Sequence, residues 1–290
     1  MVNYYIRMKK NDFLRKSLIG DEQGESLPSF RKEQFLSILR DHYVLVFLAG
    51  WFLFLFALPA LAFQVYMSYQ FSLITEPTSS DLLSWSLTTY GVMIPLVAIL
   101  FLGFCGNFSL LSTLIKGRSA TLSTFFKGIR DNGMRVLCLG ILSGLVLFFS
   151  VFSYIYYAKS ISNLPLRYFA TTFTLFFGFL VVSFGFYALG VQLRYTNPFG
   201  AYLGISLRLF GRRLLPACFQ STLVLTGLIG PAFLKGAWQV GAYLIVFFFV
   251  MPLFCLGYNE YQAYAFDKDV NQKLFPDHFR EGLDQPKPRE

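Results

Sequence analysis

Six long apolar stretches dominate the pattern of hydrophobic and polar positions along the chain. They occupy residues 43–67, 89–115, 134–157, 168–193, 214–234 and 237–258. About 20 predominantly apolar residues are enough to cross the hydrocarbon core of a bilayer as a helix. No Lys, Arg, Asp, Glu or His stands in the interior of any stretch. The pattern therefore predicts an all-α, polytopic helical membrane protein with six transmembrane helices.

Three shorter segments have the apolar spacing of helices that lie at a membrane surface. The first, residues 29–40, leads into the first span. The second, residues 120–132, is expected to end at Gly133, because glycine readily adopts the left-handed conformation that stops many helices. The third is expected to begin with Asn197 as its cap and Pro198 in its first turn. We expect all three to be short interfacial helices on the cytoplasmic side.

The polar segment 116–135 recurs 78 residues further along the chain. The matched pairs are Lys116 with Arg194, Arg130 with Arg208, Gly133 with Gly211, and Arg135 with Arg213. Both copies carry R-x-x-G-x-R ahead of the next apolar stretch, and Gly211 is expected to stop its helix as Gly133 does. A weaker match, of residues 35–41 with 126–131, precedes the first span. The chain is therefore predicted to contain an internal span–helix–span repeat.

Basic residues are concentrated in alternate polar segments. Of the 25 Lys and Arg residues, 22 fall before the first span, between spans two and three, between spans four and five, or after span six. The other three are Lys159, Arg167 and Lys235. The positive-inside rule places the basic side in the cytoplasm, so both termini are predicted to be cytoplasmic. The predicted domains are a cytoplasmic segment 1–42, a transmembrane domain 43–258 and a cytoplasmic tail 259–290.

Composition supports a lipid-embedded chain and narrows its chemistry. Hydrophobic residues make up 55% of the chain and charged residues 14%, whereas soluble domains carry about 25% charged residues. The net charge of +9 does not indicate nucleic-acid binding, because the basic residues flank apolar stretches and do not cover a water-facing domain. The four cysteines fall inside apolar stretches without metal-ligand spacing. We expect no metal and no cofactor.

Small residues, prolines and tyrosines indicate how the spans pack. Gly140 and Gly144 are spaced for close contact with a neighbouring helix of the bundle. Prolines that are expected to kink helices occur at Pro59, Pro95, Pro216, Pro231 and Pro252. An aromatic belt at the headgroup level is expected after the last span, formed by Tyr258, Tyr261 and Tyr264.

Two long sequence stretches resemble a known family. LAGWFLFLFALPALA in the first span and GNFSLLSTLIKGRSATLSTFFKGIRDNGMRVLCLGILSGLVL across spans two and three are similar to the YesL-type bacterial membrane proteins, which contain a domain of unknown function. The residues that carry the resemblance are Pro59, Gly106, Ser109, Phe125, Phe126 and Asn132. The N-terminal segment and the loop 68–88 are longer than the family pattern. The resemblance supplies no catalytic residues and implies an accessory role beside carbohydrate-uptake systems in a bacterial cell membrane.

The sequence contains no recognisable catalytic motif. Clusters of His, Asp or Glu, H-E-x-x-H, G-x-S-x-G, a P-loop and paired carboxylates are all missing, so we predict that the chain is not an enzyme. The strong polar side chains within the spans are Asn107, Gln220 and Gln239, whereas ion-coupled transporters usually keep an ionisable residue at membrane depth. We expect an accessory or scaffold component. A transporter or permease component that moves a small solute itself is the alternative.

The candidate contact residues are basic side chains of the repeat. They are Lys116, Lys127, Arg130, Arg135, Arg194, Arg208, Arg212 and Arg213. Each interfacial cation contributes roughly 1 kcal/mol of attraction to an anionic leaflet. The expected partners are anionic lipid headgroups and possible transport-system subunits. The alternative is that these charges only fix the topology.

Overall fold

The computed structural model describes residues 28–76, 78–195, 199–234, 237–272, 275 and 278–283. These residues form helices that are joined by turns and short loops, and they contain no strand. The helices are α1 (Arg31–Ser72), α2 (Ser79–Ile115), α3 (Leu122–Ser160), α4 (Leu164–Arg194), α5 (Phe199–Arg212), α6 (Leu214–Ile229), α7 (Ala237–Ile245) and α8 (Met251–Phe266). A 3₁₀ turn (Gly230–Phe233) extends α6, and π-helical turns follow α7 (Val246–Val250) and α8 (Asp267–Asn271).

Within the described residues, six helical stretches are long and apolar enough to cross a membrane. They are α1, α2, α3, α4, α6 with its 3₁₀ turn, and the run from α7 through α8. Each contains one of the six apolar stretches that the sequence shows. The predicted all-α architecture with six candidate membrane helices is therefore confirmed.

Helix α1 contains the predicted boundary between a short first helix and the first span. His42 has φ −124° and ψ 21°, which is not helical, so it separates residues 31–41 from the span that follows. The break lies two residues beyond the predicted end at Arg40. The position of the first part on a membrane surface stays a prediction.

The second predicted surface segment is helical, but it is not a separate helix. Helix α3 runs without a break from Leu122 to Ser160 and passes through Gly133. Among the described glycines, only Gly117 and Gly282 have positive φ, so the expected stop at Gly133 is wrong. Glycine costs about 1 kcal/mol in a helix, and continuing the helix retains the backbone hydrogen bonds that a stop would forfeit.

In the second copy of the repeat, the predicted surface helix is separate from the span. Helix α5 ends at Arg212, and Arg213 breaks the chain with φ −123° and ψ 30° before α6 begins. The stop therefore lies at Arg213 and not at Gly211. The predicted helix start at Asn197 and Pro198 lies outside the described residues. The two copies share a sequence pattern but differ in backbone structure.

The chain divides into two compact units. Unit 1 comprises Met1–Phe52, Gly106–Asp131 and Arg212–Glu290, and unit 2 comprises Leu53–Cys105 and Asn132–Gly211. Each unit therefore collects parts of several membrane helices that are distant in sequence, and each has its own packing.

In unit 1, the first span packs against the π turn of the last. Trp51 stacks on Phe248 with ring centroids 4.0 Å apart. A Cβ on Gly50 would collide with Pro252 and would lie 2.7 Å from the carbonyl oxygen of Phe247, so only glycine permits this approach. Because proline lacks an N–H and its ring crowds the preceding turn, the wider π turn directly before Pro252 accommodates it in the helix.

In unit 2, the predicted glycine face packs α3 closely against α2. A Cβ on Gly140 would lie 2.6 Å from the Cα of Ala98, and one on Gly144 would lie 2.9 Å from the Cα of Ile94. Both neighbours are backbone atoms of the facing helix and cannot rotate away. The predicted role of Gly140 and Gly144 in packing within the bundle is confirmed.

Replacing Gly140 by alanine should destabilise the protein, because the added methyl group forces α3 away from the backbone of α2. Overpacking of this kind costs about 1–3 kcal/mol. Gly91→Ala is the matched control: a Cβ there meets no atom within 4 Å, so the gain in helix propensity of up to about 1 kcal/mol remains. Thermal unfolding in detergent should show a lower midpoint for Gly140→Ala alone, and equal midpoints would contradict the close packing.

Candidate functional site

The eight predicted contact residues are distributed over both units. Unit 1 contains Lys116, Lys127, Arg130, Arg212 and Arg213, and unit 2 contains Arg135, Arg194 and Arg208. The exposed ones are Lys127, Arg130, Arg135, Arg208 and Arg212; Lys116, Arg194 and Arg213 are half-buried. Five of the eight therefore present an accessible charge.

Arg213 has a structural partner in unit 1. Its Nε donates to one oxygen of Asp269 at 2.8 Å, and a terminal guanidinium nitrogen donates to the other at 3.0 Å. The hydrogen bonds to this carboxylate raise the pKa of Arg213 above its ordinary value. Such two-pronged pairs are among the stronger protein hydrogen bonds. Arg213 therefore ties the start of α6 to the π turn that follows α8.

A second ion pair in unit 1 joins the beginning of the described chain to its end. Arg31, at the start of α1, donates to the carboxylate of Asp267 at 2.6 Å, and their side chains are only 14% and 11% exposed. Arg31 also donates to the carbonyl oxygen of Glu281 at 3.3 Å and to the side-chain oxygen of Gln34. Arg280 donates to the carbonyl of Ser29 at 2.8 Å. We call this set of contacts the terminal junction.

Gln34 connects the terminal junction to the end of α2. Its amide nitrogen donates to the carbonyl of Ile115 at 2.6 Å and to the carbonyl of Gly282 at 2.9 Å. The last carbonyls of a helix have no partner within the helix, and Gln34 supplies one for Ile115. A Cβ on Gly282 would collide with the same Ile115 oxygen, so glycine permits the C-terminal segment to lie there.

The neighbouring carbonyls of α2 are satisfied by its own C-terminal motif. Gly117 has φ +68° and donates to the carbonyl of Leu114 at 2.9 Å, while Arg118 donates to that of Thr113 at 3.2 Å. These two bonds form a Schellman motif. The Arg118 side chain then binds Glu281 at 2.6 Å, so the loop after α2 is attached to the same C-terminal segment.

These contacts gather four segments at one end of unit 1. They are the start of α1, the loop after α2, the start of α6, and the chain from Asp267 to Leu283. The distribution of basic residues in the sequence predicts that the same four segments lie on one side of the membrane. Their common location agrees with an even number of spans between the chain ends.

An open groove of about 1160 Å³ lies beside the terminal junction in unit 1. Its walls are the start of α1, the beginning of α6 at Gln220, one face of α8 with its π turn, and the C-terminal segment. The charged residues that line it are Arg31, Lys32, Glu260, Asp267, Lys268 and Arg280. The aromatic ones are Phe30, Phe35, Tyr261, Tyr264 and Phe279. The groove thus combines a cationic rim with aromatic walls.

The expected aromatic belt after the last span is wrong for Tyr258 and stays a prediction for Tyr261 and Tyr264. Tyr258 is fully buried and stacks on Phe108 with centroids 5.6 Å apart, so it belongs to the packing of unit 1. Tyr261 and Tyr264 instead line the groove, and Tyr264 is 49% exposed. The three residues differ because helix α8 continues through this region and turns them towards different neighbours.

Sequence reasoning missed the residues of the terminal junction and of the groove. Arg31 and Asp267 stand 236 positions apart, and no periodicity links them. A signal was nevertheless present: Asp267 and Asp269 are the first aspartates after the last apolar stretch. In the C-terminal tail, residues 280–283 make defined contacts with the start of α1 and the end of α2.

Comparison with known proteins found no match to this chain. No protein-family model matches the chain, and no curated protein and no solved structure does so either. The resemblance to the YesL-type family stays a prediction. Within the described part of the chain, no group of three or more His, Cys, Asp and Glu residues could hold a metal ion.

Replacing Asp267 by alanine should strongly destabilise unit 1, because it leaves the buried Arg31 charge without its carboxylate. Removing one partner of a buried pair costs about 3–5 kcal/mol. The matched control is Asp131→Ala, whose partner Arg130 is exposed; exposed pairs contribute about 0–1 kcal/mol. Unfolding in mixed detergent micelles should separate the two variants.

The double variant Arg31→Ala with Asp267→Ala should be more stable than Asp267→Ala alone, because it no longer buries an uncompensated charge. If Asp267→Ala costs no more than Asp131→Ala, the terminal junction does not hold the chain ends together.

Proposed function

We propose that this chain is a non-enzymatic multi-pass protein of a bacterial cell membrane that serves as an accessory or scaffold component of a carbohydrate-uptake system. The supporting observation is the convergence of four charged segments at one end of unit 1. A rigid end that is held by hydrogen bonds and ion pairs is suited to presenting side chains to a partner, because preorganised surfaces lose less conformational entropy on binding. The link to carbohydrate uptake is supported by the resemblance to the YesL-type family.

The contact residues of this proposal are the five exposed cations of the repeat, three in unit 1 and two in unit 2. They are Lys127, Arg130, Arg135, Arg208 and Arg212. Exposed cations of this kind bind acidic patches of cytoplasmic or membrane subunits and are attracted to anionic headgroups. Arg213 is not one of these contact residues, because its guanidinium group is bonded to Asp269.

The proposed orientation puts both chain ends and the terminal junction in the cytoplasm. Its support is the excess of basic residues in the four converging segments. In this orientation the cations of the repeat face the compartment in which the nucleotide-hydrolysing or regulatory subunits of uptake systems would meet them.

Cysteine accessibility tests the orientation. In a variant that lacks the four native cysteines, Ser123→Cys at the start of α3 and Ser162→Cys between α3 and α4 both replace exposed residues. A membrane-impermeant maleimide should label Ser162→Cys in intact cells, and it should label Ser123→Cys only after permeabilisation. The opposite labelling pattern would reverse the topology.

Co-purification tests the function. Replacing the five exposed cations of the repeat by glutamine should lower the recovery of transport-system subunits with the tagged protein by more than about tenfold, since each interfacial cation contributes roughly 1 kcal/mol. The control is Lys159→Gln with Arg167→Gln, which removes basic charges from the opposite loops. If the recovery of subunits does not depend on the five cations, these residues are not the contact residues.

Reconstitution separates the proposal from the transport alternative. The purified protein alone, in vesicles loaded with labelled sugars, is expected to produce no flux above that of empty vesicles. Flux of a solute would support a carrier, and the absence of any transport-system subunit from the co-purified material would reject the accessory role.

A further inference from the structure

The groove beside the terminal junction spans the depth at which a helix leaves the membrane. Its lining includes Gln220, which lies inside the apolar stretch 214–234, and on α8 it begins at Glu260, two residues after the apolar stretch that ends at Tyr258. It continues along α8 to Lys268 and Gln272. At about 1.5 Å per residue, Glu260 and Lys268 lie roughly 12 Å apart along this helix. The groove therefore extends from the end of the apolar span into the polar region beyond it.

Two guanidinium groups of the groove keep hydrogen-bond donors that the described residues leave unused. The Nε atoms of Arg31 and Arg280 are buried and have no hydrogen-bond partner within the described part of the chain. A buried donor without an acceptor is costly. Both residues line the groove, so their positive charges add to the attraction of an anion there.

Two amines stand next to these guanidinium groups. Lys32 follows Arg31, and Lys268 follows Asp267, so the Arg31–Asp267 pair brings both lysines to the same part of the groove. Both are exposed, and the structure shows no hydrogen bond or ion pair for either amine among the residues it describes. Their charges are available to an anion.

The walls next to these cations are apolar and open. Phe30 is 67% exposed and Leu36 is 65% exposed, and Tyr264 lies across from them on α8 as another lining residue. Aromatic side chains beside cations are typical of the headgroup region of a bilayer. A volume of about 1160 Å³ is at or above the upper end of small-molecule sites, which leaves space for more than a headgroup.

We propose that this groove binds one anionic diacyl phospholipid. Its phosphate lies among Lys32, Lys268 and Arg280 and accepts hydrogen bonds from them. An acyl chain follows the apolar wall of Phe30, Leu36 and Tyr264 towards the membrane span. Charge-assisted hydrogen bonds to phosphate are shorter and stronger than neutral ones, and they give the amines of Lys32 and Lys268 an acceptor that the described residues do not supply.

The two carboxylates of the groove are compatible with an anionic ligand. Asp267 is bonded to Arg31 at 2.6 Å and accepts a hydrogen bond from Asn271 at 2.9 Å, so its charge is compensated. Glu260 is 6% exposed and lies at the opposite end of the groove from Lys268. The phosphate position is therefore cationic, and the nearest carboxylate there is already paired.

A phospholipid explains the groove better than a soluble anion does. Inorganic phosphate would bind the same three cations, Lys32, Lys268 and Arg280, but would leave the exposed faces of Phe30 and Leu36 without a partner. The site is also separate from the exposed cations of the proposed accessory function, so the lipid site and that function can fail independently.

Native mass spectrometry of the full-length protein in detergent tests the site. No charged bilayer surface is present in detergent, so only a lipid that is held in a site is retained. With added phosphatidylglycerol, the protein should retain one lipid, and phosphatidylcholine should be retained at least about tenfold more weakly because its headgroup carries no net charge.

Lys32→Gln with Lys268→Gln is the diagnostic variant, because neither amine has a structural partner whose loss would unfold the protein. It should lower the affinity for phosphatidylglycerol at least about tenfold. The matched control, Lys127→Gln with Arg212→Gln, removes the same charge from exposed positions of unit 1 outside the groove and should change the affinity less than about twofold. Unchanged melting temperatures verify that both variants are folded.

Three results would overturn the proposal. One is an equal loss of affinity in the control variant, which would indicate diffuse attraction. Another is equal retention of phosphatidylcholine, which would show that the charge of the headgroup is not recognised. The third is displacement of the lipid by millimolar inorganic phosphate, which would show that the cations hold a soluble anion.

Discussion

The buried ion pair between Arg31 and Asp267 is the interaction on which the polar end of unit 1 depends. Two charges that are almost fully removed from solvent must compensate each other, since either one alone would be strongly destabilising. The 2.6 Å contact therefore fixes the start of α1 against the end of α8. It also orients Arg31 towards Gln34, whose amide donates to the last carbonyl of α2, that of Ile115. One pair thus determines the positions of three helix ends.

Polar contacts are well suited to this task in a membrane protein. Lipid tails are as apolar as the helix surfaces, so the hydrophobic effect does little to hold one span against another. Small residues such as Gly50 permit close packing within the bundle, but packing alone does not define how the ends of the helices meet. The Schellman motif at Gly117, the Gln34 amide and the Arg213–Asp269 pair supply directional contacts at those ends. These contacts determine the shape of the groove, because they fix the positions of the segments that form its walls.

The sequence predicts the parts of this fold that depend on local pattern. Long apolar stretches identify the six candidate membrane helices, and the spacing of Gly140 and Gly144 identifies a packing face. Contacts between distant residues carry no such local signal, so neither the Arg31–Asp267 pair nor the groove could be read from the sequence. The error at Gly133 has a different origin: glycine permits a left-handed stop but does not require one. The glycine that does end a helix is Gly117, where the two hydrogen bonds of the Schellman motif stabilise the left-handed conformation.

The repeat shows why matching sequence positions do not carry matching roles. Arg135 and Arg213 occupy the same place in the R-x-x-G-x-R pattern, yet Arg135 lies within the continuous helix α3 and is exposed, whereas Arg213 lies at the break between α5 and α6. The break gives Arg213 a non-helical backbone from which its guanidinium group binds both oxygens of Asp269. At the 78-residue offset of the repeat, Leu189 and Val191 occupy the positions that match Asp267 and Asp269, so the first copy has no equivalent acidic pair. Arg213 is therefore part of the framework of unit 1, whereas Arg135 presents an exposed charge in unit 2.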